Sequence, residues 1–463
     1  MTEKKKMSLT SKMLIALGLG VITGYVLQNF VPDGFVKDEL LLNGILRFVG
    51  QVFLSGIWFI VVPLVLVSLV VGITSVTDPK KVGRIGGKLS LFYLFSTFPA
   101  IGIAMTFGFI INPGAIAQGT ATAVFWDPDE IPIRTPPHII DVLMDIVPRN
   151  MFNALVQGQM LQVIFVAVVV GIAIIFVGKP AQPLQRVFVS ANDVIMKITS
   201  GVMKVAPFGV YALIAVTFAR LGYQAILSLI FFVITVWLAL AFHMIVIYGG
   251  ALKILVGTDP STGKSLRVRT IFRKAAPALA FAFSSASSAA TLPITMRCGR
   301  NMGFKKEMAS MTFPMGVTLN MDGTAIFQGV AIVFLSGFLE MPLTAGMILA
   351  VLITATLATL GTAGVPGAGM IMLSMVLVQI GFPVEAIAII WGIDRIVDMP
   401  RTAINVFGDF IYGMIVGKQE GMIDWDQFNS PHDAVITAEE TAAAAAEAAA
   451  AEAADAEEVE RTI

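Results

Sequence analysis

The last apolar segment of the chain carries a polar stripe. Six polar side chains in DRIVDMPRTAINVFGD recur at helical spacing, and at about 100° per residue they lie within an arc of about 100°. They are Asp394, Asp398, Arg401, Thr402, Asn405 and Asp409. A charge in hydrocarbon is costly, and salt bridges between helices would need fewer groups. The stripe therefore predicts a site for a charged solute and cations, with a guanidinium that suits a carboxylate.

A second polar cluster, NMDGT at residues 320–324, interrupts the apolar segment 308–336. Asn320 and Asp322 are two positions apart, so they cannot face the same side of a regular helix. The sequence therefore predicts that the helix unwinds here. Carbonyl groups freed by unwinding, together with a carboxylate, are ligands that hard cations prefer. A buried polar contact between helices is the alternative.

Two further segments combine small residues with a break. SSASSAATLP, residues 284–293, offers hydroxyl groups and turn amides, and such amides suit a carboxylate. GTAGVPGAGM, residues 361–370, contains four glycines and a proline, which indicates a hinge or lid. Close packing of small residues between membrane helices would explain either segment alone.

The elements that position these residues are predicted to be membrane helices. Of the 463 residues, 56% are hydrophobic and 13% are charged, whereas soluble domains have about 25% charged residues. We predict an all-α polytopic membrane protein in the lipid bilayer, with no nucleic-acid partner. The single cysteine, Cys298, excludes a disulfide framework within the chain. The first six apolar segments lie at 13–31, 44–74, 88–112, 139–178, 187–219 and 223–255.

The distribution of Lys and Arg predicts the orientation. Lys4, Lys5 and Lys6 precede the first segment, and basic loops follow the second, fourth and sixth, so both termini are expected in the cytoplasm. The first segment lacks a cleavage signal and is interpreted as an uncleaved membrane helix. The loop 113–138 has one Arg and three acidic residues, which suits the outside, and Arg220 is an exception to the pattern.

The second half of the chain predicts two re-entrant hairpins. Basic residues flank the broken segment 275–296 on both sides, so it must enter and return with a tip buried in protein. No Lys or Arg occurs from Glu307 to Ile393, and the broken segment 342–378 is interpreted as a hairpin from the opposite side. With a last helix at about 384–417, the order hairpin–helix repeats in inverted form, which is typical of a transporter site near the bilayer midplane.

In this order, SSAATLP, NMDGT, GVPGAG and DMPRTAINVFGD closely resemble the glutamate transporter family, the dicarboxylate/amino acid:cation symporters. The resemblance covers about residues 10–418 and implies eight transmembrane helices plus two re-entrant hairpins in the plasma (cell inner) membrane. It implies a homotrimeric scaffold from 1–86 and 113–222 and a mobile transport domain from 87–112 and 223–418. The transport domain would move as an elevator with the second hairpin as gate. Residues 419–463 would be a cytoplasmic low-complexity tail.

The resemblance also implies a role for each site residue. Arg401 would bind the side-chain carboxylate of the substrate and Asp398 its ammonium group, while Ser288 and the backbone near Ala286 would bind the main-chain carboxylate. The implied substrate-binding residues are Ala286, Ser287, Ser288, Thr324, Val365, Pro366, Gly367, Ala368, Gly369, Asp398, Arg401, Thr402 and Asn405.

Three sodium sites follow from the same resemblance, so sodium ions are the expected cofactors. The first would use Gly316, Asn320, Asn405 and Asp409. The second would use the backbone of Thr318, Thr359, Leu360, Gly361 and Thr362 near Met321. The third would use Asp322 and Asn320 with Tyr93, Ser96 and Thr97.

One cation departs from the family pattern. Many relatives have an arginine at the tip of the first hairpin or one residue after Asp398, but here these positions are Ala286 and Met399. The extra guanidinium is Arg395 instead, and we expect it to offset the charge of the neighbouring aspartates. Pro400 removes a helix hydrogen bond just before Arg401 and predicts a local kink.

These residues predict sodium-coupled symport of glutamate or aspartate, whose charged ends are alike. Asp398 would repel a plain dicarboxylate, and a neutral substrate would leave Arg401 unpaired. The alternatives are a proton- or sodium-coupled carrier of C4-dicarboxylates, or of cystine or neutral amino acids. A channel is a different class, and so is an intramembrane aspartyl enzyme. The enzyme is disfavoured because Asp394 and Asp398 lie on one helix, whereas a catalytic dyad usually converges from two elements.

Overall fold

The computed structural model describes residues 9–74, 82–117, 144, 147–221, 223–263, 265–359, 364 and 367–429. Several predictions fall outside these residues: Lys4 to Lys6, most of the loop 113–138, and residues 430–463 of the predicted tail. The same is true of five predicted site residues, Leu360, Gly361, Thr362, Val365 and Pro366. Residues 419–429 of the predicted tail are described and contain a short helix, Trp425–Asn429. The described chain is helical and has no strand beyond two isolated bridges.

The first half of the described chain forms six helices. They are α1 (Leu9–Asn29), α2 (Arg47–Thr74, continuous with the π-helical Val36–Leu46), α3 (Val82–Ile111), α4 (Met151–Gln157), α5 (Met160–Val177) and α6 (Gln182–Leu221). Both α1 and α2 pack along α6, and α2 also packs along α5. The contact of α1 with α6 requires glycine, because a Cβ at Gly24 would lie 2.5 Å from Phe218 Cβ.

The second half surrounds its last long helix. Its helices are α7 (Tyr223–Phe242, continued through His243–Tyr248, Gly249–Ala251 and Leu252–Val256), α8 (Val268–Ser285), α9 (Ser288–Asn301), α10 (Lys306–Leu319), α11 (Asp322–Phe338), α12 (Ala345–Thr359), α13 (Ala368–Ile380), α14 (Ile387–Trp391), α15 (Asp394–Gln419) and α16 (Trp425–Asn429). Helix α15 packs against α3, α7, α8, α10 and α11, so its polar stripe faces protein.

The hydropathy of the helices confirms an all-α polytopic membrane protein. Within the described chain, six helical stretches are long and apolar enough to cross a membrane: Ser11–Asn29, Val36–Thr74, Arg84–Ile116, Lys179–Arg220, Leu227–Val256 and Lys306–Phe338. Shorter apolar helices occur at Gln162–Val177, Ala345–Thr359 and Ala368–Gln379. Helix α15, which carries the polar stripe, is not one of the six. The total of eight transmembrane helices stays a prediction.

The predicted breaks are present. Ala286 and Ser287 separate α8 from α9, and the two helices pack against each other, as do α12 and α13. Asn320 (φ −99°, ψ 95°) and Met321 (φ −127°, ψ 37°) separate α10 from α11. That each hairpin enters the membrane and returns to the same side stays a prediction.

Two predicted boundaries were wrong. The first hairpin extends from Val268 to Asn301, beyond the predicted 275–296. The last helix is not continuous over 384–417, because Gly392 and Ile393 separate α14 from α15. Gly392 lies against Ile214 of α6, where a Cβ would collide with the isoleucine side chain. Pro400 lies within α15 and does not end it.

A carboxylate outside the membrane-spanning stretches ties two distant segments together. Asp259 is 2% exposed. It accepts hydrogen bonds from Ser261 N at 2.8 Å, Ser261 Oγ at 2.9 Å, Thr262 Oγ1 at 2.7 Å and Asn429 Nδ2 at 2.6 Å. Burial raises the pKa of Asp259, but these hydrogen bonds outweigh burial and lower the pKa to about 2. The bond from Asn429 docks α16 on the loop that follows α7.

We expect Asp259→Ala to loosen the contact of α16 with this loop, because the substitution removes the shared acceptor of these donors. The docking should weaken by about 1–3 kcal/mol, and protease cleavage within 420–429 should accelerate. The pKa of Asp259 in the folded protein lies below the ordinary value of about 3.9. The ionised carboxylate therefore stabilises the docked segment fully above about pH 4, and this stabilisation is lost as the pH falls toward 2. Asp193→Ala, at an exposed position of α6, is the control. Equal cleavage of both variants would contradict the assignment.

Candidate functional site

A buried ion pair lies in the first half of the polar stripe. Arg401 donates to Asp398 Oδ1 from Nε at 3.1 Å and from Nη2 at 2.6 Å. Thr402 Oγ1 donates to the same oxygen at 3.2 Å. Asp398 is 3% exposed and Arg401 2% exposed. The two residues expected to bind opposite ends of a substrate thus bind each other in this structure.

The second terminal nitrogen of Arg401 has no hydrogen-bond acceptor within the described chain. Arg401 Nη1 lies 3.6 Å from Asp394 Oδ1, an ion pair beyond hydrogen-bond distance. The guanidinium carbon lies 4.7 Å from the centroid of the Phe327 ring, a cation–π distance. A Cβ at Gly369 would collide with the guanidinium. Because Arg401 Nη1 is a buried donor without an acceptor among the described residues, it is suited to bind a carboxylate oxygen.

The tips of the two hairpins meet beside the ion pair. Ser287 Oγ donates to Gly364 O at 2.9 Å, and Ala289 N donates to the same carbonyl at 3.1 Å. Gly367 N donates to Asp398 Oδ2 at 3.3 Å. Gly367 has a φ of +81°, a left-handed conformation that favours glycine. The structure therefore brings Asp398, Arg401 and both hairpin tips together.

Further predicted substrate residues within the described chain lie close to this centre. Ser288 and Ala368 are buried, and a Cβ at Gly364 would contact Ser288. Ser287 accepts a hydrogen bond from Ala290 N at 3.2 Å and caps α9. Asn405 Nδ2 donates to Thr324 Oγ1 at 3.3 Å, which joins α15 to α11.

The residues predicted for the first sodium site are together. Asn320 Nδ2 donates to Asp409 Oδ1 at 2.7 Å and to Asn405 O at 2.8 Å. Gly316 lies against Asp409, and a Cβ there would collide with the carboxylate. Asn320 Oδ1 is buried and has no hydrogen-bond donor among the described residues. These oxygens fit a hard cation, which prefers carboxylate, amide and carbonyl ligands.

The residues predicted for the third site meet only in part. Asp322 Oδ1 accepts hydrogen bonds from Ser96 Oγ at 2.8 Å and Thr97 Oγ1 at 3.2 Å. The hydroxyl of Tyr93 instead donates to Thr312 O at 3.5 Å.

Two residues that the sequence analysis missed hold the other oxygen of Asp322. Tyr248 Oη donates to Asp322 Oδ2 at 3.0 Å, and His243 Nε2 lies 3.3 Å from it. Both residues are fully buried. Positions five apart on an α-helix point about 140° apart, but the π-helical turn His243–Tyr248 brings them to one side. A lone histidine in an apolar segment was the available signal.

The second predicted site is described only in part, since three of its residues lie outside the described chain. Thr318 Oγ1 donates to Met315 O at 3.1 Å and Thr359 Oγ1 to Thr356 O at 2.7 Å, each within its own helix. Met321 Sδ lies 3.2 Å from Asn405 Nδ2 and 3.6 Å from Thr324 Oγ1. Met321 is therefore part of the contact between α11 and α15.

Residues 9–419 match the model of the sodium:dicarboxylate symporter family. The chain is 31% identical over 423 residues to a proton/sodium-glutamate symport protein of Geobacillus stearothermophilus, covering 90% of this chain and 96% of the relative. It is 32% identical over 427 residues to a proton/glutamate-aspartate symporter of Escherichia coli K12, covering 90% and 94%. A C4-dicarboxylate transport protein of Bordetella avium is 29% identical over 423 residues, covering 89% of each chain.

Proposed function

Because the chain belongs to the sodium:dicarboxylate symporter family, we propose that it is a secondary active transporter that couples sodium entry to the uptake of glutamate or aspartate. The family comprises transporters, which sets aside the intramembrane aspartyl enzyme. The observation that carries the proposal is the buried ion pair of Asp398 and Arg401 between the two hairpin tips.

The ion pair favours a substrate that carries both charges. When such a substrate binds, Arg401 exchanges Asp398 for the side-chain carboxylate, and Asp398 exchanges Arg401 for the ammonium group. Both buried charges then keep a partner of opposite sign, which matters because an unpaired buried charge is costly. The Bordetella avium relative supports a second candidate function, C4-dicarboxylate transport. Asp398 disfavours this function, because a C4-dicarboxylate has no cationic group to pair with it. Neutral amino acids leave Arg401 without a partner.

Cation binding is supported by a buried carboxylate, Asp409, that has no paired cation within the described chain. Asp409 is 1% exposed, and no Lys, Arg or His of the described chain forms a salt bridge with it. Gly316, Asn320, Asn405 and Asp409 would hold one sodium ion, and Asp322 with Ser96 and Thr97 another. A bound sodium supplies the charge that offsets these carboxylates. The names of the relatives include both sodium and the proton as coupling ions. Amide and carbonyl ligands favour sodium over a proton at this site.

The packing of the helices supports the proposed division of the molecule. Helices α1, α2, α5 and α6 pack mainly with one another, while α3 packs with α7 and α11 in the half that contains the site. We propose that α1, α2, α5 and α6 form the scaffold of a homotrimer in the plasma membrane. The second group would then move past the scaffold as an elevator, with both chain termini cytoplasmic.

The proposal is tested by uptake into proteoliposomes that contain the purified protein. Labelled L-aspartate and L-glutamate should accumulate under an inward sodium gradient, and excess unlabelled succinate should compete weakly. Counterflow of labelled against unlabelled aspartate should saturate, as expected for a carrier and not for a channel. Stronger competition by succinate than by aspartate would replace the proposal with C4-dicarboxylate transport.

The hydroxyl of Tyr248 gives a prediction about sodium. Tyr248→Phe keeps the ring but removes the donor to Asp322 Oδ2, so the carboxylate loses part of its orientation. Loss of such an outer contact typically weakens metal binding about tenfold or more. We expect the half-saturating sodium concentration for uptake to rise by about tenfold. Tyr211→Phe is the matched control, because the Tyr211 hydroxyl contacts Thr23, away from the site. An unchanged sodium dependence in Tyr248→Phe would refute this role.

A further inference from the structure

Arg395, the cation that the family pattern does not explain, contacts the backbone at the tip of the first hairpin. It lies in the first turn of α15 and is 5% exposed. Its Nη2 donates to Ser285 O at 2.8 Å and lies 3.4 Å from Ser284 O. These carbonyls belong to the last two residues of α8. A side chain of α15 thus reaches the end of a helix in another element.

The end of α8 is a place where a cation stabilises structure. The last carbonyls of a helix lack intrahelical donors, and they carry the negative end of the helix dipole. The residue that follows, Ala286, has φ 51° and ψ 38°, a left-handed conformation that costs a residue other than glycine roughly 1–2 kcal/mol. The contact from Arg395 therefore holds α8 next to a strained residue.

The strained residue begins the loop that the proposed substrate carboxylate would meet. Ala286 and Ser287 connect α8 to α9, and Ser288 is the first residue of α9. Ser287 also bonds Gly364 O of the second hairpin at 2.9 Å. A shift at the end of α8 would therefore reach both hairpin tips, and Gly367 of the second tip bonds Asp398.

We propose that Arg395 is a positioning residue that fixes residues 286–288 by holding the end of α8, and so sets substrate affinity without contacting the substrate. This inference rests on the proposed transport function. It gives Arg395 a role beyond offsetting the charges of Asp394 and Asp398.

The test combines transport with the accessibility of the loop. In a background with Cys298→Ala, a cysteine introduced by Ala286→Cys is labelled with a membrane-permeable maleimide in purified protein. With Arg395→Gln added, labelling should accelerate severalfold. With Cys298→Ala alone as background, Arg395→Gln should raise the KM for aspartate by about tenfold or more, as expected for lost charge-assisted hydrogen bonds. Arg395→Lys keeps a cationic donor, so it should partly restore both the labelling rate and the KM for aspartate. It replaces the glutamine variant in the test if that variant does not fold.

Lys418→Met is the matched control, because the Lys418 ammonium also bonds backbone carbonyls: Val256 O at the end of a helix and Thr258 O just beyond it, both far from the hairpin tips. It should change neither KM nor labelling. Unchanged KM and labelling in Arg395→Gln would overturn the inference, as would a raised KM with unchanged labelling, which would mean that Arg395 acts on the aspartates by charge alone. Failure of the transport proposal is separate, since it would appear as absent uptake by the unsubstituted protein.

Discussion

Arg401→Cys should abolish the uptake of acidic amino acids. The substitution removes the guanidinium that offers Nη1 to the substrate carboxylate and leaves Asp398 buried without its partner. Sites built for a hydrogen-bonded charged group discriminate strongly when the pairing is lost, so kcat/KM for aspartate should fall at least about 100-fold. The measurement is sodium-driven uptake of labelled L-aspartate by the variant in proteoliposomes.

Arg401→Lys and Asp398→Asn make this prediction specific. Lysine keeps the charge but not the planar fork, so Arg401→Lys should also lose aspartate uptake while retaining more stability than the cysteine variant. Asp398→Asn removes the group that repels a second carboxylate, so aspartate should compete less well and succinate better. Retained aspartate uptake in Arg401→Cys, with protein that elutes as the wild type does, would refute the assignment of Arg401.

Asp409→Asn should raise the half-saturating sodium concentration for uptake at least about tenfold, equivalent to about 1.4 kcal/mol. The carboxylate is buried against Gly316, and its hydrogen bond comes from the neutral amide of Asn320. An asparagine keeps the size of the side chain but removes the charge that a sodium ion would offset. Uptake at a fixed aspartate concentration should be measured over a series of sodium concentrations.

Two further variants separate cation binding from folding at this position. Gly316→Ala places a Cβ against the Asp409 carboxylate, so it should weaken sodium activation while keeping every charge. Thr106→Val is the control, because Thr106 is exposed on α3 and its hydroxyl bonds Gly102 O of its own helix. A sodium dependence in Asp409→Asn equal to that of the wild type would remove Asp409 from the cation site.

Much of the fold follows from local sequence. Long apolar segments predict the helices, and the NMDGT cluster predicts the break that Asn320 and Met321 make between α10 and α11. The start of α15 could not be predicted in this way. Gly392 and Pro400 both disfavour helix, yet the chain breaks at Gly392 and continues through Pro400. The close approach of Gly392 to Ile214, about 180 residues earlier in the chain, is a tertiary contact that local sequence does not predict.

Local sequence also predicts only part of the site. Helical spacing predicts that Asp398, Arg401, Asn405 and Asp409 share a face, because that depends only on one helix. The pairing of Asp398 with Arg401 depends on side-chain rotamers. The contacts of His243 and Tyr248 with Asp322 depend on a π-helical turn in α7 and on the packing of two elements. Arg395 was expected to offset charge, and only the tertiary structure shows its contact with the end of α8.

Sodium coupling is tested most directly by measuring which ion gradient drives L-aspartate accumulation in proteoliposomes. Uptake is measured under an inward sodium gradient at equal pH on both sides, and under an inward proton gradient in sodium-free buffer. Coupling through the sites at Asp409 and Asp322 predicts accumulation above equilibrium with the sodium gradient and none with the proton gradient alone. Equal accumulation in sodium-free buffer would contradict sodium coupling.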